Sequence, residues 1–194
     1  MTKARDIASM LSSTQTLANK TLSTGSIGSG VTGLTGVKNC DTWRITSNFQ
    51  VPATGSNYIT ANWEKDDTGM MSQTIGTGMT ESSGVFSFPS IGLWLVLSNT
   101  FVTSGTSGNY AGFTSRYTRD NSSYSGVLSD SYTHVETSGH HRPISGQGIL
   151  DVTDISNVKM KFEFYVHASA SGTTIAGSSV ANYTNVTFIR IGDT

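Results

Sequence analysis

Residues 158–167 of this 194-residue chain alternate without a break. Val158, Met160, Phe162, Phe164 and Val166 are apolar, and Lys159, Lys161, Glu163, Tyr165 and His167 stand between or after them. A strict period of two does not fit a helix, whose side chains return to one face every 3.6 residues. It specifies a strand with one face in a core and one in water. The same alternation runs through Trp43, Ile45, Phe49 and Val51, and through Ile59, Ala61 and Trp63, after which Asp66-Asp67-Thr68-Gly69 supplies a turn. Further strands are expected at 85–88, 93–102, 109–119, 124–136, 148–152 and 186–192, separated by Gly, Ser and Asn. About eight to ten short strands with no helix between them make an all-β protein: an antiparallel sandwich, barrel or jelly roll.

Composition agrees with this and excludes several functions. Charged residues are 13% of the chain, about half the usual share of roughly 25%. Ser and Thr fill the gap, at the expense of the Glu, Lys, Ala and Leu that favour helices. With a net charge of −1 and twelve scattered Lys and Arg, no basic face is available to displace counterions, so nucleic acid is not an expected partner. The longest apolar run, 91–97, is broken by Gly92 and far too short for membrane insertion. MTKARDIASML contains no apolar stretch of signal-peptide length, so export is not expected. Cys40 is the single thiol, which leaves stability to packing or oligomerisation.

The first 37 residues read differently from the rest. Ala4, Ile7, Ala8 and Leu11 recur at helical spacing, and the following STQTLANKTLSTGSIGSGVTGLTGV keeps neither a 3.6 nor a 2 period. The expectation is an arm with a short helix, 1–37, ordered only against a partner, followed by a β-domain, 38–194. In that domain two strands are apolar on both faces: Leu93 to Leu97, and Val186, Phe188, Ile189 and Ile191. Either the arm or a loop covers the second face, or a neighbouring subunit does, since large bare apolar patches are rare on monomers.

Gly84-Val85-Phe86-Ser87-Phe88-Pro89-Ser90-Ile91-Gly92-Leu93-Trp94 resembles the signature of the complement-one-q globular head and tumour-necrosis-factor-like jelly roll: glycine, x, aromatic, x, apolar, proline, two residues, glycine, x, aromatic. A strand would end at Phe88, Pro89 would block further pairing, and Gly92 would allow the corner into the next strand. Asn185 to Ile191 is similar to that family's last strand, near its trimer axis, and Val152 to Met160 to its turn into the penultimate strand. The opening TKARDIASML is similar to the start of marine bacteriophage fibre and virion proteins that carry such domains. The resemblance implies a homotrimer used for adhesion or assembly, with Leu97, Thr187, Ile189 and Ile191 at the trimer interface. It also implies that Arg5, Ile7 and Leu11 anchor the arm to other virion proteins of the capsid or tail.

Motifs that would carry chemistry lack their context. Gly28-Ser29-Gly30-Val31-Thr32-Gly33 spells Gly-x-Gly-x-x-Gly but follows a polar arm and precedes more glycine, where a dinucleotide site needs a strand, a helix and a later acid. His140-His141 sits before Arg142-Pro143 in an expected loop with no Cys or acid at zinc spacing. Asp66, Asp67, Asp120, Asp130 and Asp154 offer oxygens but no calcium-loop pattern, and Glu81, Glu136 and Glu163 form a carboxylate pair only by arithmetic. No nucleophile elbow is present. The expectation is therefore a non-enzyme without cofactor or metal. It would be a bacteriophage virion protein, a jelly-roll fibre or decoration protein touching host-surface glycan or protein or its virion neighbours. The alternative is a carbohydrate- or protein-binding jelly-roll module of a cellular surface protein. The Tyr-, Ser- and Asn-rich segment 109–124 has the composition of an adaptable contact surface and, equally, of the outward faces of hairpins.

Overall fold

The computed structural model describes residues 36–50, 55–67, 74–103, 105, 110–134, 139–167 and 172–194. The helix expected near residues 4–11, the anchoring residues Arg5, Ile7 and Leu11, and the Gly28–Gly33 motif lie outside them. Among the described residues there is no helix, and two antiparallel sheets form a sandwich.

In the first sheet β1 (Cys40–Ile45) lies between β4 (Trp63–Lys65) and β13 (Asn185–Gly192). β13 pairs with β7 (Gly92–Thr103), whose other partner, β10 (His141–Val152), follows it over its whole length. The far end of β7 also pairs with β12 (Thr174–Ile175), which carries the short β2 (Phe49–Gln50). The second sheet runs β5 (Thr80–Ser82), β6 (Val85–Ser87), β11 (Lys159–Val166), β8 (Tyr110–Thr118), β9 (Gly126–His134), with β3 (Gly55–Tyr58) pairing further along β11.

The period-two reading of 158–166 holds for the core face: Met160, Phe162, Phe164 and Val166 are all fully buried. Opposite them, Trp94, Val96, Val186 and Phe188 come inward from the first sheet. Phe86 sits at the centre, its ring centroid 5.1–5.5 Å from those of Trp43, Trp63, Phe162 and Phe188, mostly in edge-to-face contact. The expected corner is present too. β6 ends at Ser87, Phe88 turns into the core, and Gly92 opens β7 at φ 136° in the other sheet. A side chain there would meet Gly192 O at 2.5 Å and the Arg190 guanidinium at 2.6 Å, so only glycine lets β7 pass the end of β13.

Three expectations are corrected. The strand expected over Ile59, Ala61 and Trp63 is two strands in different sheets. β3 stops at Tyr58, Ile59 plugs the core, Ala61 is exposed, and Asn62 at φ 65° turns the chain into β4. The strand expected at 148–152 begins seven residues earlier, which puts His141 and Pro143 in a ladder rather than a loop. β10 is the sheet's edge, where a proline without an N–H costs no pairing. Its period is hidden because Gly146 and Gly148 occupy inward positions: β9 crosses so closely that a Cβ at Gly148 would lie 2.6 Å from Leu128 Cγ. Finally, Glu163 stands on the outward face of β11 but is only 5% exposed, because neighbouring side chains cover it.

Candidate functional site

The outward face of the first sheet is ordered by register into three rows. Cys40, Ile189, Leu95 and Ile149 are successive cross-strand partners on β1, β13, β7 and β10. The next row is Thr42, Thr187, Leu97 and Gln147, in which the Thr42 and Thr187 hydroxyls are 2.8 Å apart. The third is wholly polar: Arg44, Asn185, Asn99 and Ser145, with Ser145 Oγ donating to Asn99 Oδ1 at 2.7 Å. Leu97, Thr187 and Ile189 thus share one face, and Ile191 lies beside it in the bulge between Arg190 and Gly192, 49% exposed. The sequence marked Leu95 as part of a two-faced apolar strand without placing it in this row, and gave no sign of Ile149 there. Ile149 is 57% exposed and completes the apolar row only through the β10–β7 register.

The polar end of this face is held by an ion cluster. Arg44 has no solvent exposure and donates to Asp66 and Asp67 at 2.8 Å, and it is also paired with Glu64. Asn182 Nδ2 donates to the remaining Asp66 oxygen at 2.6 Å. Burial pulls the Arg44 pKa down, but the hydrogen bond to Glu64 and the charges of the three carboxylates outweigh it, so the net shift is upward.

On the second sheet the outward face is aromatic. Tyr132, Gly112, Tyr165 and Ser56 form one row across β9, β8, β11 and β3, and Asp130, Thr114, Glu163 and Tyr58 form the next. Tyr110 stacks on Tyr165 with centroids 5.4 Å apart and meets Tyr132 edge-on at 5.5 Å. Tyr132 leans over Gly112, where a Cβ would lie 2.3 Å from the ring. Thr114 Oγ1 donates to Asp130 Oδ1 at 2.6 Å and the Tyr132 hydroxyl to Asp130 Oδ2 at 3.2 Å. Burial, followed by the Asp130 charge, pushes the Tyr132 phenol up. Arg116 Nε donates to Glu163 at 3.0 Å, and Lys161 Nζ lies 4.4 Å from the Tyr124 centroid and 5.1 Å from that of Tyr58.

The residues singled out for metal or acid–base chemistry are dispersed. Among the described residues no three His, Cys, Asp or Glu side chains converge on a point suited to a metal. His141 Nδ1 is 3.0 Å from the Thr103 hydroxyl. Asp120 and Asp154 accept hydrogen bonds within their own turns, Glu81 caps Gly84 N at 2.6 Å, and Glu136 lies outside the described residues. Burial, then the neighbouring Asp41, pushes the Cys40 thiol up, away from nucleophilic character.

No family profile matches this chain, and no curated protein sequence does. Solved structures match its architecture. Crystalline murine APRIL aligns with 78% of the chain and 98% of its own length, with a TM-score of 0.56 and 8% identity. Eiger TNF from S. frugiperda aligns with 78% of the chain and 94% of its own length, with a TM-score of 0.51 and 10% identity. The fold is a TNF-like jelly roll. At such identities the likeness is one of fold alone. PRD1 vertex protein P5 also aligns, over 81% of the chain and 99% of its own, but its TM-score of 0.47 at 18% identity carries no argument.

Proposed function

We propose that this chain is a bacteriophage virion structural protein: a homotrimer of TNF-like jelly rolls (38–194), each joined to the capsid or tail by an N-terminal arm (1–37). The observation that carries the reading is the apolar row Ile189–Leu95–Ile149 with Leu97 beside it, on the outward face of the first sheet. An antiparallel sheet keeps such a face polar unless something covers it. A three-fold arrangement that apposes these faces removes them from water, with Leu97, Thr187, Ile189 and Ile191 at the contact. The resemblance of the Gly84–Trp94 corner to the complement-one-q and tumour-necrosis-factor-like signature supports the trimer, and that of TKARDIASML to the start of marine bacteriophage fibre and virion proteins supports the virion.

The mechanism is contact, not catalysis. Three identical domains on one particle bind through effective concentration, so weak single sites combine into firm attachment. Arg5, Ile7 and Leu11 supply the basic and apolar groups with which the arm engages its virion neighbour. Sedimentation equilibrium of the full chain tests the assembly: a species of three times the 20.6 kDa chain mass is expected, and a monomer at micromolar concentration refutes it. Immunogold labelling of purified particles tests the location, and particles without the chain refute that.

A further inference from the structure

We infer that the tyrosine-bearing face of the second sheet, with the cleft at its β9 edge, is a binding site for neutral glycans. The inference rests on the reading of the domain as a surface-contact module and names what that surface takes. Five of the chain's seven tyrosines, Tyr58, Tyr110, Tyr124, Tyr132 and Tyr165, gather on this face. They stand mainly on strands and brace one another, so their order is established before any ligand arrives. Tyr110 and Tyr132 still present 38% and 52% of their surface.

The chemistry beside the rings selects the ligand. Asp130 borders the platform and also lines a cleft of about 630 Å³ between β9, β10 and β7. That volume lies in the range of small-molecule sites. The other walls carry hydroxyls and amides, Ser129, Ser131, Asn99, Ser145 and Gln147, together with Leu97 of the proposed trimer contact. A pyranose needs both halves of this arrangement. Its C–H face packs against the negative face of an aromatic ring, and its hydroxyls require flanking acceptors and donors.

Charge complementarity points the same way. Arg116 is paired with Glu163, and Lys161 lies over the Tyr58 and Tyr124 rings, which leaves Asp130 as the charge facing the cleft. A carboxylate acceptor among neutral groups suits an uncharged, hydroxyl-rich ligand and opposes a polyanion.

The test is retention of the full-length chain on an array of immobilised neutral hexose and N-acetylhexosamine oligosaccharides, followed by titration with any sugar retained. At least one such sugar is expected to bind. Tyr132→Ala and Tyr110→Ala should each weaken it at least tenfold with melting temperatures close to the parent's. Asp130→Asn, which leaves the rings in place, should weaken it several-fold, and Tyr183→Ala, in the bend before β13 against Phe101, should leave it unchanged. No retention at millimolar sugar, binding insensitive to the Tyr110, Tyr132 and Asp130 variants, or a host ligand destroyed by protease instead of glycosidase would each overturn the site. Sedimentation of the same samples separates the two readings. A trimer that binds no sugar overturns the site alone, and a monomer whose binding is lost in Tyr132→Ala overturns the trimer alone.

Discussion

Arg44 Nη1 donates to Asp66 Oδ1 at 2.8 Å, and both side chains are withdrawn from water although Arg44 stands on the outward face of its sheet. The pair closes the polar end of a face whose other end is apolar, with Asn182 satisfying the second Asp66 oxygen. Removing one member strands a buried charge, whereas the exposed partner Asp67 can return to water. Arg44→Leu should therefore destabilise the domain by about 3–5 kcal/mol, the usual cost of breaking a buried pair from one side. Asp67→Asn should cost less than about 1 kcal/mol. Urea midpoints of the two variants check the contrast, and equal losses would contradict it.

Gly92 combines a φ of 136° with no room for a side chain against Gly192 and Arg190. Gly92→Ala should cost about 2–6 kcal/mol, because backbone strain and overpacking each contribute roughly 1–3 kcal/mol. Gly36→Ala is the control, with nothing within 4 Å and no positive φ. Thermal unfolding of both variants reads the difference.

Leu95 joins Ile189 on one side and Ile149 on the other, so it is the middle of the apolar row. A carboxylate at that point would be desolvated in any assembly that covers the row. Leu95→Asp should shift the full chain from trimer to monomer in sedimentation, while far-UV circular dichroism keeps its β signature. A Val127→Asp variant on the second sheet should stay trimeric. Loss of the trimer in both variants would remove the first sheet from the interface.

Asp120 accepts hydrogen bonds from the Thr118 hydroxyl and from the Ser122 and Ser123 amides, which hold its carboxyl well below the ordinary range. Since the folded pKa is depressed, its contribution is fully present above the unfolded value near 3.9. It is lost as pH falls from there toward the folded value. Asp120→Asn keeps an acceptor oxygen but cannot titrate. Its urea midpoint should fall less steeply than the parent's between about pH 4 and pH 2, and parallel slopes would disprove the coupling.

The alternation at 158–166 and the low charge were enough to determine an all-β domain and the core face of β11, and the resemblance of the Gly84–Trp94 corner implied the jelly roll. Each of these is a local property, since a period of two assigns every side chain to a face without reference to the rest of the chain. The apolar second face of β7 and β13 was legible for the same reason. Glycines that serve close approach carry no periodic signal, so β10 was read only from residue 148. Nor does local pattern contain registry, which alone places Ile149 beside Leu95, Arg44 among three carboxylates, and Tyr132 beside Tyr165 across Gly112. Segment 109–124 has the composition of a contact surface. Pairing distant strands decided which tyrosines share a face, because cross-strand neighbours lie only about 5 Å apart whatever their separation in the chain.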